Sequence, residues 1–142
     1  MIKETFYNFL VQHEEQSDGG LVALLAIIKY YKGNTSSINL NDLIQTNYPL
    51  TSMSLLVETV SRYGILSVVC DDVDIPTIIN YNQPVIINTT TINNKTHFVV
   101  CFPYNEEKGF LIWDSRNGSY YTSIDELKSL RTDKKCMAFC FN

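Results

Sequence analysis

The sequence predicts an α+β fold, with helices packed on a C-terminal antiparallel sheet, and three observations predict it. Apolar residues crowd almost every position from Leu21 to Tyr31. Beyond Gly64 the period changes, and short apolar runs bounded by turn residues replace helical spacing. Helices and strands keep to separate stretches of the chain, a segregation that argues against a doubly wound sheet. With 142 residues and no internal repeat or linker, residues 1–142 read as one domain.

Each element has a local reason. Leu21 to Tyr31 predicts a helix buried almost all round, with Gly33 as its C-cap. Asn39 to Thr46 (NLNDLIQT) predicts a short helix stopped by Pro49. Ser52-Met53-Ser54 opens a third, which presents Leu55, Leu56, Thr59, Val60 and Tyr63 on one face and ends at Gly64. ILSVVC (65–70) is a strand, DIPTIIN (74–80) one or two helical turns, and PVIIN (84–88) a strand that tolerates Pro84 at its first position. THFVVCF (96–102) and KGFLIWD (108–114) are two more strands, joined by PYNEE, and Asn117-Gly118 marks a hairpin turn. IDELKSL (124–130) returns to helix and KKCMAFCF (134–141) closes as a strand.

Composition excludes several classes of function. The chain is 45% hydrophobic and 18% charged, with net charge -4 and no basic stripe, so nucleic acid is not an expected partner. Cys70, Cys101, Cys136 and Cys140 sit among apolar residues without a CxxC pair or a Cys/His cluster. They read as reduced core residues, and neither zinc nor any other metal or cofactor is expected. No apolar run approaches a membrane span, and MIKETFYNFLVQHEEQ is too acidic and interrupted for a secretory signal. The expectation is a cytoplasmic domain.

Three positions could carry chemistry. Alternation puts His97 on one strand face with Val99 and Cys101, Asp114 ends another strand at a turn, and the Asp18-Gly19 step opens the buried helix. Each has an ordinary structural role: a hydrogen-bonded strand His, a turn-forming Asp, a helix N-cap. Their order is informative. A buried helix start, then a strand His, then an Asp seventeen residues on across one hairpin is the layout of papain-like cysteine peptidases. A helix N-terminus favours a thiolate, the His takes its proton, and the carboxylate or amide holds the imidazole tautomer.

On these residues the chain resembles the peptidase C39 domains of bacteriocin-exporting ABC transporters over essentially its whole length. The family's Gln, Asp-Cys-Gly and buried helix ending in Tyr-Tyr-Gly correspond to EEQSDGGLVALLAIIKYYKG. Its Ser-Leu-x-x-Leu helix corresponds to SMSLLVETVSRYGI, and its Pro-led strand, His-Phe-Val-Val and Asp-Pro-x-x-Gly to QPVIIN, THFVV and WDSRNG. The resemblance implies a papain-like cysteine peptidase fold, with His97 and Asp114 as catalytic partners and a cleft around Asp18, Gly19, Gly20 and His97 that binds peptide. Its departures are specific. Alignment on Asp18 and Gly20 places the nucleophilic Cys at Gly19, which supplies no nucleophile. The oxyanion Gln, six residues earlier, falls on His13, with Gln12 beside it and Gln16 nearer the helix, and Ser115 stands where the family has Pro.

Two glycines in a row also resemble the end of an export leader. Counting back from Gly20, however, the fourth and seventh residues are Ser17 and Glu14, polar where leaders carry an apolar helical face, so Gly19-Gly20 reads as a helix start. The resemblance therefore implies a non-proteolytic C39-like domain that binds exported peptide or unfolded protein cargo. It would work beside the transmembrane and nucleotide-binding parts of an ABC exporter, at the cytoplasmic face of the bacterial membrane. Two alternatives stay open: an active double-glycine leader peptidase represented by a Cys-to-Gly variant, and a free-standing peptide-binding protein.

Overall fold

The computed structural model describes residues 19–32, 53–90, 96–114 and 118–140. Helix α1 spans Gly19–Lys32 and α2 Met53–Ser61. Strand β1 (Leu66–Cys70) follows, then α3 (Ile75–Tyr81), β2 (Val85–Thr90), β3 (Thr96–Cys101), β4 (Phe110–Asp114) and β5 (Gly118–Thr122). Helix α4 (Ile124–Leu130) leads directly into β6 (Arg131–Cys140). The strands form one sheet in the order β1-β6-β2-β3-β4-β5, antiparallel at every pairing, with the last strand inserted between β1 and β2. The predicted helix at Asn39–Thr46, its Pro49 stop and the Gly33 cap lie outside the described residues.

Consecutive strand residues divide between two cores. Ile86, Val100, Trp113 and Met137 pack with Leu24, Ile27, Ile28, Leu56 and Val60 of α1 and α2. Their neighbours Ile87, Val99, Ile112 and Cys136 pack on the other face with Ile75 and Ile78 of α3 and Leu127 of α4. Covering both faces is why the central strands read as unbroken apolar runs rather than as alternation. Leu24, Ile27, Ile28 and Leu56 are fully buried, each worth roughly 1.5–3 kcal/mol of transfer free energy. In α1 the buried positions Ala23, Leu24, Ala26, Ile27 and Ile28 cover about 200° of the helix at 3.6 residues per turn, in line with the near-continuous apolar run.

Local chemistry sets the boundaries. Asp74 caps α3, its Oδ1 accepting from the Thr77 N–H at 3.0 Å and the Thr77 hydroxyl at 2.6 Å, and Asn82 ends the helix in the left-handed region at φ 54°. Ser123 and Glu126 form a reciprocal capping box on α4. These bonds hold both carboxyls below their ordinary range, the Thr77 hydroxyl acting first on Asp74 and the Ser123 backbone first on Glu126. After α2 the chain turns through Gly64 at φ 79°. In the predicted PYNEE turn, Asn105 Oδ1 accepts from the N–H groups of Glu107 and Lys108 at 2.9 and 3.0 Å.

Two backbone sites depend on one residue each. Continuing the β2–β6 register, in which Ile86 faces Met137, puts Pro84 opposite Phe139, where proline has no N–H to give. The Tyr81 hydroxyl fills the gap by donating to the Phe139 carbonyl and accepting from its N–H at 3.1 Å. Tyr81→Phe leaves both groups without that partner and is expected to cost about 1–3 kcal/mol in urea unfolding. Gly109 sits at φ 92°, and a Cβ there would lie 2.2 Å from the Thr122 carbonyl oxygen. Gly109→Ala therefore combines a left-handed penalty with a backbone clash, and the expected loss is about 3 kcal/mol or more by the same measurement.

Candidate functional site

His97 is the second residue of β3 and Asp114 the last of β4. The β3–β4 register pairs Val100 with Trp113 and Cys101 with Ile112. Continued by one residue, it sets Asp114 opposite Val99, one diagonal step from His97 on the same sheet face. The imidazole Nε2 lies 2.7 Å from Asp114 Oδ1, and the two residues are only 5% and 3% exposed. An ionised carboxylate can only accept, so Nε2 carries the hydrogen, and in the neutral ring Nδ1 is left with its lone pair free to take a proton. Alternation predicted His97 with Val99 and Cys101, and those two residues do lie in the core under α3 and α4. Trp113, next to Asp114, points to the opposite face and packs in the α1 core.

Two residues that sequence reasoning did not single out support the pair. Thr89 stands directly across β2 from His97, is buried, and donates its hydroxyl to the His97 carbonyl at 3.3 Å. The β2–β6 register slips between Ile87, opposite Cys136, and Thr89, opposite Arg131. The signal for Thr89 was its place in the alternation Val85, Ile87, Thr89. Tyr120, diagonal to Asp114 across the β4–β5 ladder, has its phenol pushed up first by burial and then by the Asp114 carboxylate.

Gly19 and Gly20 are the first two residues of α1, and α1 packs against β3, the strand that carries His97. Gln12, His13, Gln16 and Asp18, with Ser115 and Asn117, lie outside the described residues. The cysteines are elsewhere. Cys101 on β3 is fully buried, with its thiol pushed up by desolvation, and Cys136 on β6 is buried and pushed up to about 11. Cys70 on β1 is half-buried rather than a core residue. Among the described residues, no cluster of His, Cys, Asp and Glu could hold a metal ion, and no helix is long and apolar enough to cross a membrane.

Helices over a six-stranded antiparallel sheet give the chain the papain-like cysteine peptidase fold. Within it, the chain belongs to the peptidase C39 family, whose model matches residues 7–138. No curated protein matches the chain. Among solved structures it is similar to the peptidase domain of Streptococcus ComA, described as a bi-functional ABC transporter involved in quorum sensing, with TM-score 0.74, 19% identity, and coverage of 93% of this chain and 97% of that one. A double glycine motif protease from an AMS/PCAT transporter, solved in complex with the leader peptide, matches with TM-score 0.68, 18% identity, and coverage of 91% and 88%. The Streptococcus mutans ComA peptidase domain matches with TM-score 0.65, 18% identity, and coverage of 92% and 98%. At these identities the likeness is one of fold.

Proposed function

We propose that residues 1–142 form a single, non-proteolytic C39-like domain that binds the leader or unfolded segment of a chain exported by an ABC transporter. Family membership supports the kind of site, and the transporter setting of the similar structures supports the kind of partner. The observation that carries the absence of proteolysis is Gly19 as the first residue of α1, the position that the Asp18–Gly20 match assigns to the nucleophile. A glycine keeps the helix start and its free N–H groups but offers no atom to attack a carbonyl. His97 and Asp114 then serve as contact and structural residues of a peptide cleft, working on the cytoplasmic side of the membrane.

The intact His97–Asp114 bond favours a second reading, an active leader peptidase in which a Cys has been replaced at 19. The codon at position 19 of the natural gene separates the two. A free-standing peptide-binding protein is the third reading, and a membrane segment encoded soon after Asn142 would exclude it. The direct test of the lead reading is titration of a double-glycine leader peptide by calorimetry, with cleavage followed by mass spectrometry. Binding at about 1–100 μM, without cleavage, is the expected result, because ordering a flexible peptide consumes much of the contact energy. No heat of binding up to about 1 mM would sink the leader-type cargo.

A further inference from the structure

Cys70 and Cys136 stand directly opposite one another in the antiparallel β1–β6 ladder. Opposed residues of such a ladder lie about 4.5–5.5 Å apart between Cα atoms with side chains on the same face, inside the 4.4–6.8 Å window that a disulfide requires. Both cysteines are free thiols; Cys136 is buried and Cys70 half-buried. Cys101 is no competitor. It lies on β3, with β2 intervening between it and β6, so its Cα is about 9–10 Å from that strand, beyond bridging distance.

We infer that Cys70 and Cys136 form a dithiol site that closes into a cross-strand disulfide under mild oxidation by a small-molecule disulfide. The half-exposed Cys70 is the point of entry. Its thiolate attacks one sulfur of the oxidant and releases the other as a thiol, leaving a mixed disulfide on Cys70. The Cys136 thiolate then attacks the Cys70 sulfur and expels the second thiol, so two protein thiols and one disulfide become one protein disulfide and two thiols. The Arg131 guanidinium, 3.8 Å from Cys136 Sγ, favours the thiolate that this second step needs, while burial opposes it and keeps the step slow. Closure ties the sheet's edge strand, against which α2 packs, to the strand next to it.

The test is incubation of the full chain with oxidised glutathione, followed by intact mass, a non-reducing peptide map and a thermal melt. The expected outcome is the loss of two hydrogens, a Cys70–Cys136 linked peptide, and a Tm raised by about 5 °C or more, because the closed loop is long. Cys70→Ser, at a half-exposed position, should fold and show neither the link nor the Tm rise, and Cys136→Ser should stop at a glutathione adduct on Cys70. A lasting adduct on Cys70 in the unaltered chain would overturn the proposal. So would disulfide-linked dimers through Cys70, or a link from Cys70 to Cys140 instead.

Discussion

Gly19→Cys is expected to give a slow thiol peptidase that cuts double-glycine leaders about 10³-fold faster than the unaltered chain. The magnitude follows from two opposing terms. Loss of the nucleophile from a catalytic triad costs about 10⁶ in rate. An oxyanion donor that is absent costs about 10²–10³, and here His13 holds the family's position without being Gln, while Gln12 and Gln16 lie off that spacing. Restoring the first while lacking the second leaves roughly 10³. The thiol would benefit from the N-terminal dipole of α1 and from a His97 whose Nε2 is already committed to Asp114 at 2.7 Å. The fold sets a demanding geometric condition. His97 shares its face with Val99 and Cys101, whereas α1 covers the other face, so a thiol at 19 meets Nδ1 only around the end of the β3–β4 pair. Leader cleavage by mass spectrometry, with the rate of iodoacetamide alkylation in parallel, reads both parts. A fast-alkylating thiol without cleavage would mean that the oxyanion side has decayed. A thiol no more reactive than free cysteine would show that position 19 is not the nucleophile position.

The fold was legible where one local rule decided the outcome. The stretches DIPTIIN and IDELKSL placed α3 and α4, and Thr96 to Phe102 placed His97 by simple alternation. The sequence was less informative where pairing mattered more than pattern. Strand β5 (Gly118–Thr122) was missed beyond its turn signal, because an edge strand of Ser, Tyr and Thr carries no apolar run. Strand β6 begins at Arg131, three residues before the predicted start, inside a charged stretch. Its polar residues are held by specific partners: Arg131 donates to the Val73 carbonyl at 2.8 Å, and Asp133 accepts from Asn88 at 3.3 Å. The diagonal between His97 and Asp114 depends on strand register, which spacing alone does not encode, and Thr89 gains its meaning only from its pairing with His97 across β2 and β3.

His97→Ala should be among the most destabilising single changes in the chain, at about 3–5 kcal/mol by urea unfolding, because it takes the 2.7 Å imidazole donor away from a buried carboxylate. Asp114→Asn keeps an oxygen acceptor for Nε2–H and gives up only the charge-assisted part of the bond, so about 1–2 kcal/mol is expected. The double variant decides whether the pair is a coupled unit. With the Asp114 charge removed, His97→Ala combined with Asp114→Asn should be more stable than His97→Ala alone, a coupling of at least about 1 kcal/mol. Additive losses would mean that the two residues do not depend on each other in solution, despite the 2.7 Å separation. The cycle also bears on function. If the chain is a binder, the pair survives because an interior polar pair is costly to break one residue at a time, and each single variant would lose stability before it lost leader affinity. If the parent is a peptidase, Asp114→Asn in the Gly19→Cys background should slow cleavage far more than it lowers the unfolding midpoint, since the carboxylate then supports the imidazolium formed during reaction.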